Sequence, residues 1–204
     1  MKVGIVDLNT NNLFSIYNAC RKIGFNTKLI NIHENLKKYN CIILPGVGSY
    51  GKAMSIINKS KLKHNLLKYS LDNSNKIIGI CLGMQLLFEE SEEFGKKRGL
   101  GLIKGKVKKL KKFKYEKIPN IGWAKIYKNN SKTKIDRKSM LSQYYFVHSY
   151  ICEPSDINFL GTRSDFGNTS FCSSIFKNNI IGVQFHPEKS GINGISYLKK
   201  IIVS

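Results

Sequence analysis

The sequence predicts an α/β protein, with a mostly parallel central sheet, helices on both of its faces and an antiparallel extension. Three observations predict it. The first half alternates short apolar runs with stretches of helical periodicity. In the second half, strand-like runs crowd together with few helices between them. The chain has 204 residues, 42% of them hydrophobic, which is enough for one sizeable core, so residues 1–204 read as a single domain.

The elements follow in order. KVGIVDL (Lys2–Leu8) reads as a buried strand. The next stretch places Leu13, Ile16, Tyr17 and Cys20 on one helical face, with Gly24 as the stop. NTKLIN is a short strand, and CIILPG (Cys41–Gly46) is another that runs into a glycine-rich loop. Lys52–Asp72 has the pattern of one long amphipathic helix. KIIGI (Lys76–Ile80) is a strand, and MQLLFEES (Met84–Ser91) starts the next helix. From Gly99 onward, GLIKGKVKKL, WAKIY and QYYFVHSYICE each read as a strand. SFCSSIF and IIGVQF flank KNN (Lys177–Asn179), a hairpin turn in which asparagine tolerates a positive φ. NGISYLKKII closes the chain as a helix.

Composition narrows the function classes. The N-terminus turns polar too early for a signal peptide, and apolar runs such as Cys41–Leu44 are far short of a membrane span. The expectation is a soluble cytoplasmic protein with no membrane partner. The five cysteines (Cys20, Cys41, Cys81, Cys152 and Cys172) are odd in number and contain no C-x-x-C pair. That argues against a disulfide framework or a zinc site. The net charge of +21 invites a polyanionic partner. Yet the cations are mostly lysines, and the densest stretch, Lys104–Lys117, lacks the features of a nucleic-acid motif. It reads as solvated surface, with no nucleic acid as partner.

The chemistry gathers at GICLG, where a strand meets a helix at Cys81. This is the thiol form of the G-x-S-x-G nucleophile elbow. Flanking glycines permit the sharp turn, which lifts the sulfur to the carboxyl edge of the sheet. The N-terminus of the following helix favours the thiolate, and the N–H of Leu82 is free as an oxyanion donor. A simple buried thiol is the competing reading. Among four histidines, His33 and His64 read as surface residues. His186 follows a buried strand in GVQFHPEKS, with Pro187 stiffening the segment and Glu188 two residues away, which gives a base and its orienting carboxylate. LPGVGSYG (Leu44–Gly51) is a glycine-rich loop whose N–H groups suit a second oxyanion donor. It is not a phosphate loop, because no G-K-[ST] follows.

With LPGVGSYG, GICLGMQLLFEES, GLGLIKGKV, IPNIGW, YFVHSY and GVQFHPEKS in this order, the chain resembles the class I (triad) glutamine amidotransferases over nearly its whole length. Within them it is most similar to the glutaminase subunits that supply ammonia for histidine biosynthesis. The resemblance implies a flavodoxin-like fold and a subunit that needs no metal or cofactor. It implies Cys81 as nucleophile, His186 as general base and acid, and Glu188 as the carboxylate that orients it. Val47, Gly48 and Leu82 match the oxyanion positions, and Gln85, Ser149 and Tyr150 match positions that hold substrate glutamine. Asn12, Trp123 and Tyr144 match positions near a (β/α)8-barrel cyclase that receives the ammonia and forms a heterodimer. Two departures fall on that side: Asn9-Thr10-Asn11-Asn12 keeps only the last residue of a Gly-x-Gly-Asn stretch, and Ala124 replaces an Asn after Trp123. The alternative is a paralogue feeding a related barrel synthase that modifies a surface-polysaccharide sugar. A cysteine peptidase would use the same Cys–His pair but needs an extended substrate cleft.

Overall fold

The structure, a computed structural model, describes residues 1–9, 12–111, 117–129 and 137–204. The first half runs β1 (Lys2–Val6), α1 (Leu13–Ile23), β2 (Asn26–Ile30), β3 (Cys41–Leu44), α2 (Tyr50–Lys59), α3 (Leu62–Ser70), β4 (Lys76–Ile80) and α4 (Leu82–Leu86). The second half begins with β5 (Phe88–Ser91), β6 (Lys97–Arg98), β7 (Ile103–Lys109), β8 (Asn120–Lys125) and β9 (Tyr127–Lys128). It continues with α5 (Arg137–Leu141), β10 (Gln143–His148), β11 (Tyr150–Pro154), β12 (Leu160–Phe166), β13 (Thr169–Lys177), β14 (Ile180–Val183) and α6 (Gly191–Val203).

The main sheet has the order β2-β1-β3-β4-β14-β13-β11-β7-β5-β6, with β12 on β13 and β9 on β12. From β2 to β14 neighbouring strands are parallel. From β14 through β13 and β11 to β7 they are antiparallel, which is the expected extension. The parallel strands are buried on both faces. Val3, Ile5, Cys41, Ile43, Ile78 and Ile80 point into one core with α1 and α6 residues such as Ile16, Cys20, Tyr197 and Ile201. Val6, Ile42, Leu44 and Ile77 point into the other, with Met54, Ile57, Leu62 and Leu66 from α2 and α3. Period-two alternation between two apolar layers explains why these strands read as continuous hydrophobic runs.

Three expected elements are corrected. The single helix over Lys52–Asp72 is two helices, α2 and α3. Ser60 turns extended (φ −117°, ψ 173°), and its Oγ accepts from the Leu62 N–H, ending one helix and starting the next. The helix expected from Met84 to Ser91 lasts only through Leu86, and Phe88–Ser91 is strand β5, paired with β7. QYYFVHSYICE is two strands that part at Ser149. β11 joins the main sheet, and β10 pairs with β8 as a separate ribbon. The KNN hairpin forms between β13 and β14, with Asn178 at φ 52°.

In β7, Ile103 and Val107 point inward, while Lys104 and Lys109 are exposed and Lys106 and Lys108 half-buried. The rest of the Lys104–Lys117 stretch lies partly outside the described residues. No helix among the described residues is long and apolar enough to cross a membrane.

Candidate active site

Adjacent parallel strands β3, β4 and β14 all end at the same edge of the sheet. β3 leads into the loop Pro45–Ser49, β4 into Cys81, and β14 into Gln184–His186. Three segments distant in sequence thus meet at one edge, the place where open α/β sheets bind ligands.

Cys81 has φ 51° and ψ −106°, a conformation that side chains other than glycine resist. Its neighbours show why the turn is so tight. A Cβ on Gly79 would lie 2.5 Å from the Gly83 carbonyl oxygen, and one on Gly83 would lie 1.9 Å from that of Leu44. A Cβ on Gly46 would lie 1.8 Å from the Ile80 oxygen and 2.4 Å from the Leu82 nitrogen. The elbow and the β3 loop are in direct backbone contact, so the loop's peptides sit beside the first N–H of α4. That N–H has no acceptor within its helix. Val47, Gly46, Ile80, Asn12, His186 and Glu188 line one small cavity, which brings Val47 beside the His186–Glu188 pair. Gly48 is exposed at φ 130°.

His186 Nδ1 lies 2.8 Å from Glu188 Oε1, and both side chains are buried. The other ring nitrogen, Nε2, is buried, and the ring interacts with Cys81. Burial pushes the imidazole pKa down. The sulfur and the Glu188 carboxylate push it up by more, so the net shift is upward. Such a histidine accepts the thiol proton and holds it as imidazolium. The backbone places the ring: His186 N–H donates to Tyr145 O (2.9 Å), and Ser190 Oγ donates to His186 O (2.6 Å) while accepting from Tyr145 N (3.0 Å).

His148 has the opposite character. Its Nδ1 lies 3.0 Å from Tyr150 O, and its Nε2 lies 3.1 Å from Asn120 Nδ2. Those partners require Nδ1–H to donate and Nε2 to accept, so the ring is neutral. Burial lowers its pKa to about 4. His33 and His64 are exposed.

Two expectations about the sulfur change. Cys81 is 6% exposed rather than lifted into solvent, because the ribbon covers it: its thiol donates to Val147 O at 3.6 Å. And α4 has only five residues, which leaves little helix dipole to favour the thiolate.

The positions expected to hold glutamine are close together. Gln85 is buried, and its Nε2 donates to Tyr150 O (3.1 Å) and Gln184 Oε1 (3.3 Å), which leaves Oε1 for a substrate. Ser149 and Tyr150 are half-buried. Of the expected partner-facing residues, Trp123 is 53% exposed and Asn12 half-buried, while Thr10 and Asn11 lie outside the described residues. Tyr144 does not belong there. Its side chain is fully buried, packed on Phe185 (4.5 Å) and Tyr197 (5.5 Å). Alternation along β10 turns its neighbour Tyr145 outward instead, directly opposite Trp123 in the ribbon, with the rings 5.9 Å apart.

Sequence reading passed over three residues. Tyr145 was missed by one step of strand phase. Glu93 is buried and accepts from Tyr50 N (3.3 Å), but it stands in FEESEE, where nothing separates an inward carboxylate from its neighbours. Gln184 is fully buried beside Cys81. The signal for it was a polar side chain at the end of an otherwise apolar strand.

The family model described as glutamine amidotransferase class-I matches residues 4–203. The chain belongs to this family. Among the relatives of this amidotransferase, the protein from Cyanidium caldarium is 40% identical over 99% of this chain and 98% of its own length. Those from Pyrococcus furiosus and Prochlorococcus marinus are 39% and 37% identical, over 97% and 98% of this chain and 96% of each relative. All three are described as imidazole glycerol phosphate synthase subunit HisH. The fold is also that of a solved PurLQS structure from Thermotoga maritima (TM-score 0.76, 20% identity, 99% and 97% covered). A second solved glutamine amidotransferase aligns at TM-score 0.72 with 14% identity, covering 99% of each chain.

Proposed function

We propose that the chain is the glutaminase subunit of an imidazole glycerol phosphate synthase, hydrolysing glutamine and passing the ammonia to a (β/α)8-barrel cyclase in the cytoplasm. The observation that carries the chemistry is the alignment of Cys81, His186 and Glu188 at one sheet edge, with the His186–Glu188 contact at 2.8 Å. The full-length likeness to synthase subunits supports the pathway. It gives no support to the polysaccharide alternative.

In this mechanism His186 takes the thiol proton, and the thiolate attacks the side-chain amide carbon of glutamine. The C=O electrons move to oxygen, which meets the N–H of Leu82 and an N–H of the Val47–Gly48 segment. His186 returns the proton to nitrogen as the C–N bond breaks and ammonia leaves. Water, deprotonated by His186, then cleaves the glutamyl thioester, giving glutamate and the free thiol. Gln85 Oε1, Ser149 and Tyr150 hold the substrate, and buried Glu93, in electrostatic contact with Tyr150, offers negative charge for its ammonium group. The cyclase docks on the outer face of the ribbon, at Trp123, Tyr145 and exposed Ile121, beside Asn12.

The test is to co-express the chain with its cyclase in a strain that lacks its own synthase glutaminase subunit and requires histidine. Growth without histidine is expected, and Cys81→Ala is expected to abolish it unless ammonia is supplied. Failure of the wild-type pair to restore growth while the purified pair still releases glutamate would defeat the pathway and spare the glutaminase.

A further inference from the structure

Gln184 is fully buried, two residues before His186. Its Nε2 lies 3.5 Å from Cys81 Sγ, a hydrogen-bond distance for sulfur. Its Oε1 accepts from Gln85 Nε2 at 3.3 Å, and the same Nε2 of Gln85 donates to Tyr150 O at 3.1 Å. This chain of partners fixes which end of the Gln184 amide faces the sulfur. A flipped amide would set its NH2 against that of Gln85 and lose the bond between them. The backbone is held as firmly, since Gln184 N–H donates to Ser173 O at 2.9 Å.

A buried amide is an expensive way to fill space, because every polar atom must find a partner. Methionine would occupy the volume without that requirement. The amide's effect falls on the sulfur, where an N–H donor stabilises the anionic form more than the neutral thiol. Resting on Cys81 as the nucleophile, we infer that Gln184 is a further catalytic residue, whose side-chain N–H donates to the Cys81 thiolate and holds it aimed at the substrate carbonyl. The other groups facing the sulfur are His186 with Glu188 behind it, the Val147 carbonyl from the ribbon, and Cys152 from β11. Burial raises the Cys152 pKa well above its ordinary value, so that group stays neutral. Gln184 and His186 are then the donors that favour the anion. Only the amide keeps its protons at every working pH.

The test reads the thiolate directly. Iodoacetamide alkylation of Cys81 is followed from pH 5 to 9 by mass spectrometry of the Cys81 peptide, in the full-length wild type, Gln184→Met and Gln184→Glu. Gln184→Met is expected to slow alkylation about tenfold at pH 6.5 and to approach the wild-type rate at high pH. Gln184→Glu, which adds negative charge, is expected to be slower still. In the cyclase complex, kcat should fall about tenfold with KM nearly unchanged. A merely structural role would change the rate equally at all pH values or leave the profile untouched, and either result overturns the inference. If the variants do not fold, the wild type decides. The side-chain amide resonances of Gln184 should titrate with Cys81 and cease to titrate in Cys81→Ala, and a titration insensitive to Cys81 overturns the inference. Labelling of Cys81 by a diazo-ketone analogue of glutamine in the wild type tests the nucleophile separately, so the two failures cannot be confused.

Discussion

Cys81 occupies a backbone conformation that a β-carbon resists, so the nucleophile is held at a cost of about 1–3 kcal/mol. Glycine would relieve that strain, less the roughly 1 kcal/mol of extra chain entropy it loses on folding. Cys81→Gly and Cys81→Ala are both expected to lose glutaminase activity, but Gly should unfold at the same or a higher temperature than Ala. An alanine variant clearly more stable than the glycine one would show the elbow to be unstrained. The two histidines near the site carry opposite signs. His148 has a folded pKa of about 4, below the ordinary 6.5, so the unfolded chain takes up the proton first. Its contribution is therefore complete above pH 6.5 and falls as the pH drops toward 4, by about 2–3 kcal/mol at pH 4.5. His186 is shifted upward, so its contribution is present below pH 6.5 and lost as the pH rises through the folded value. His148→Gln can keep both hydrogen bonds without titrating. The stability gap between wild type and variant, measured in urea at pH 7.5 and pH 4.5, should narrow or reverse in acid by about that amount, and a constant gap would refute the neutral assignment. The His186–Glu188 pair was legible in the sequence because the carboxylate and a proline follow the histidine on one short segment. The inertness of His148 was not, because Asn120, the partner of its Nε2, reaches it from 28 residues away in sequence.

The elbow and the β3 loop depend on each other through glycines that leave no room for a methyl group. A Cβ on Gly46 or Gly83 would meet backbone oxygen at 1.8 or 1.9 Å, and no rotamer change relieves a backbone contact. Gly46→Ala and Gly83→Ala should each destabilise the protein by about 3 kcal/mol or more and lower activity further, because the oxyanion N–H groups move with the backbone. Midpoints of urea unfolding measure this, and a near-neutral Gly46→Ala would mean that the loop stands off from the elbow. The parallel strands were legible because burial on both faces writes itself as unbroken runs such as CIIL and KIIGI. The misread elements share one cause: local pattern does not carry the decision. Leu86, Leu87 and Phe88 are all buried, and a short all-apolar run fits a strand as well as a helix. In the 52–72 helix the apolar face continues across Ser60, so the pattern conceals the break that the serine hydroxyl makes. In QYYFVHSYICE the alternation persists while the strand changes sheets, which conceals the break at Ser149.

Across the molecule, the ribbon β8–β10 joins the outer surface to the chemistry. One face presents Trp123 and Tyr145, and the backbone of the same strand holds the site, with Tyr145 O accepting from His186 N and Val147 O capping the Cys81 thiol. Exposed lysines of β7 carry part of the charge of +21, and screening makes such a surface a weak lever on catalysis. We propose that a partner seated on the aromatic pair acts on Cys81 and His186 through these main-chain bonds. The ribbon covers the sulfur. The β3 loop adds a second setting. Gly48, exposed at φ 130°, lets the Val47–Gly48 peptide point its N–H toward the site or away at little steric cost. A correctly aimed oxyanion donor is worth about 10²–10³ in rate, so the cyclase loaded with its nucleotide substrate or an analogue should raise glutaminase kcat by at least about 10²-fold. Trp123→Ala should weaken the complex, and saturating cyclase should restore much of the rate. Gly48→Ala, with β-carbon strain fixing one loop setting, should bind the cyclase normally and show a smaller activation. Steady-state glutamate release with and without the loaded partner measures both. Full activity of the lone subunit, unchanged by the cyclase, would defeat this switch and leave the proposed triad standing.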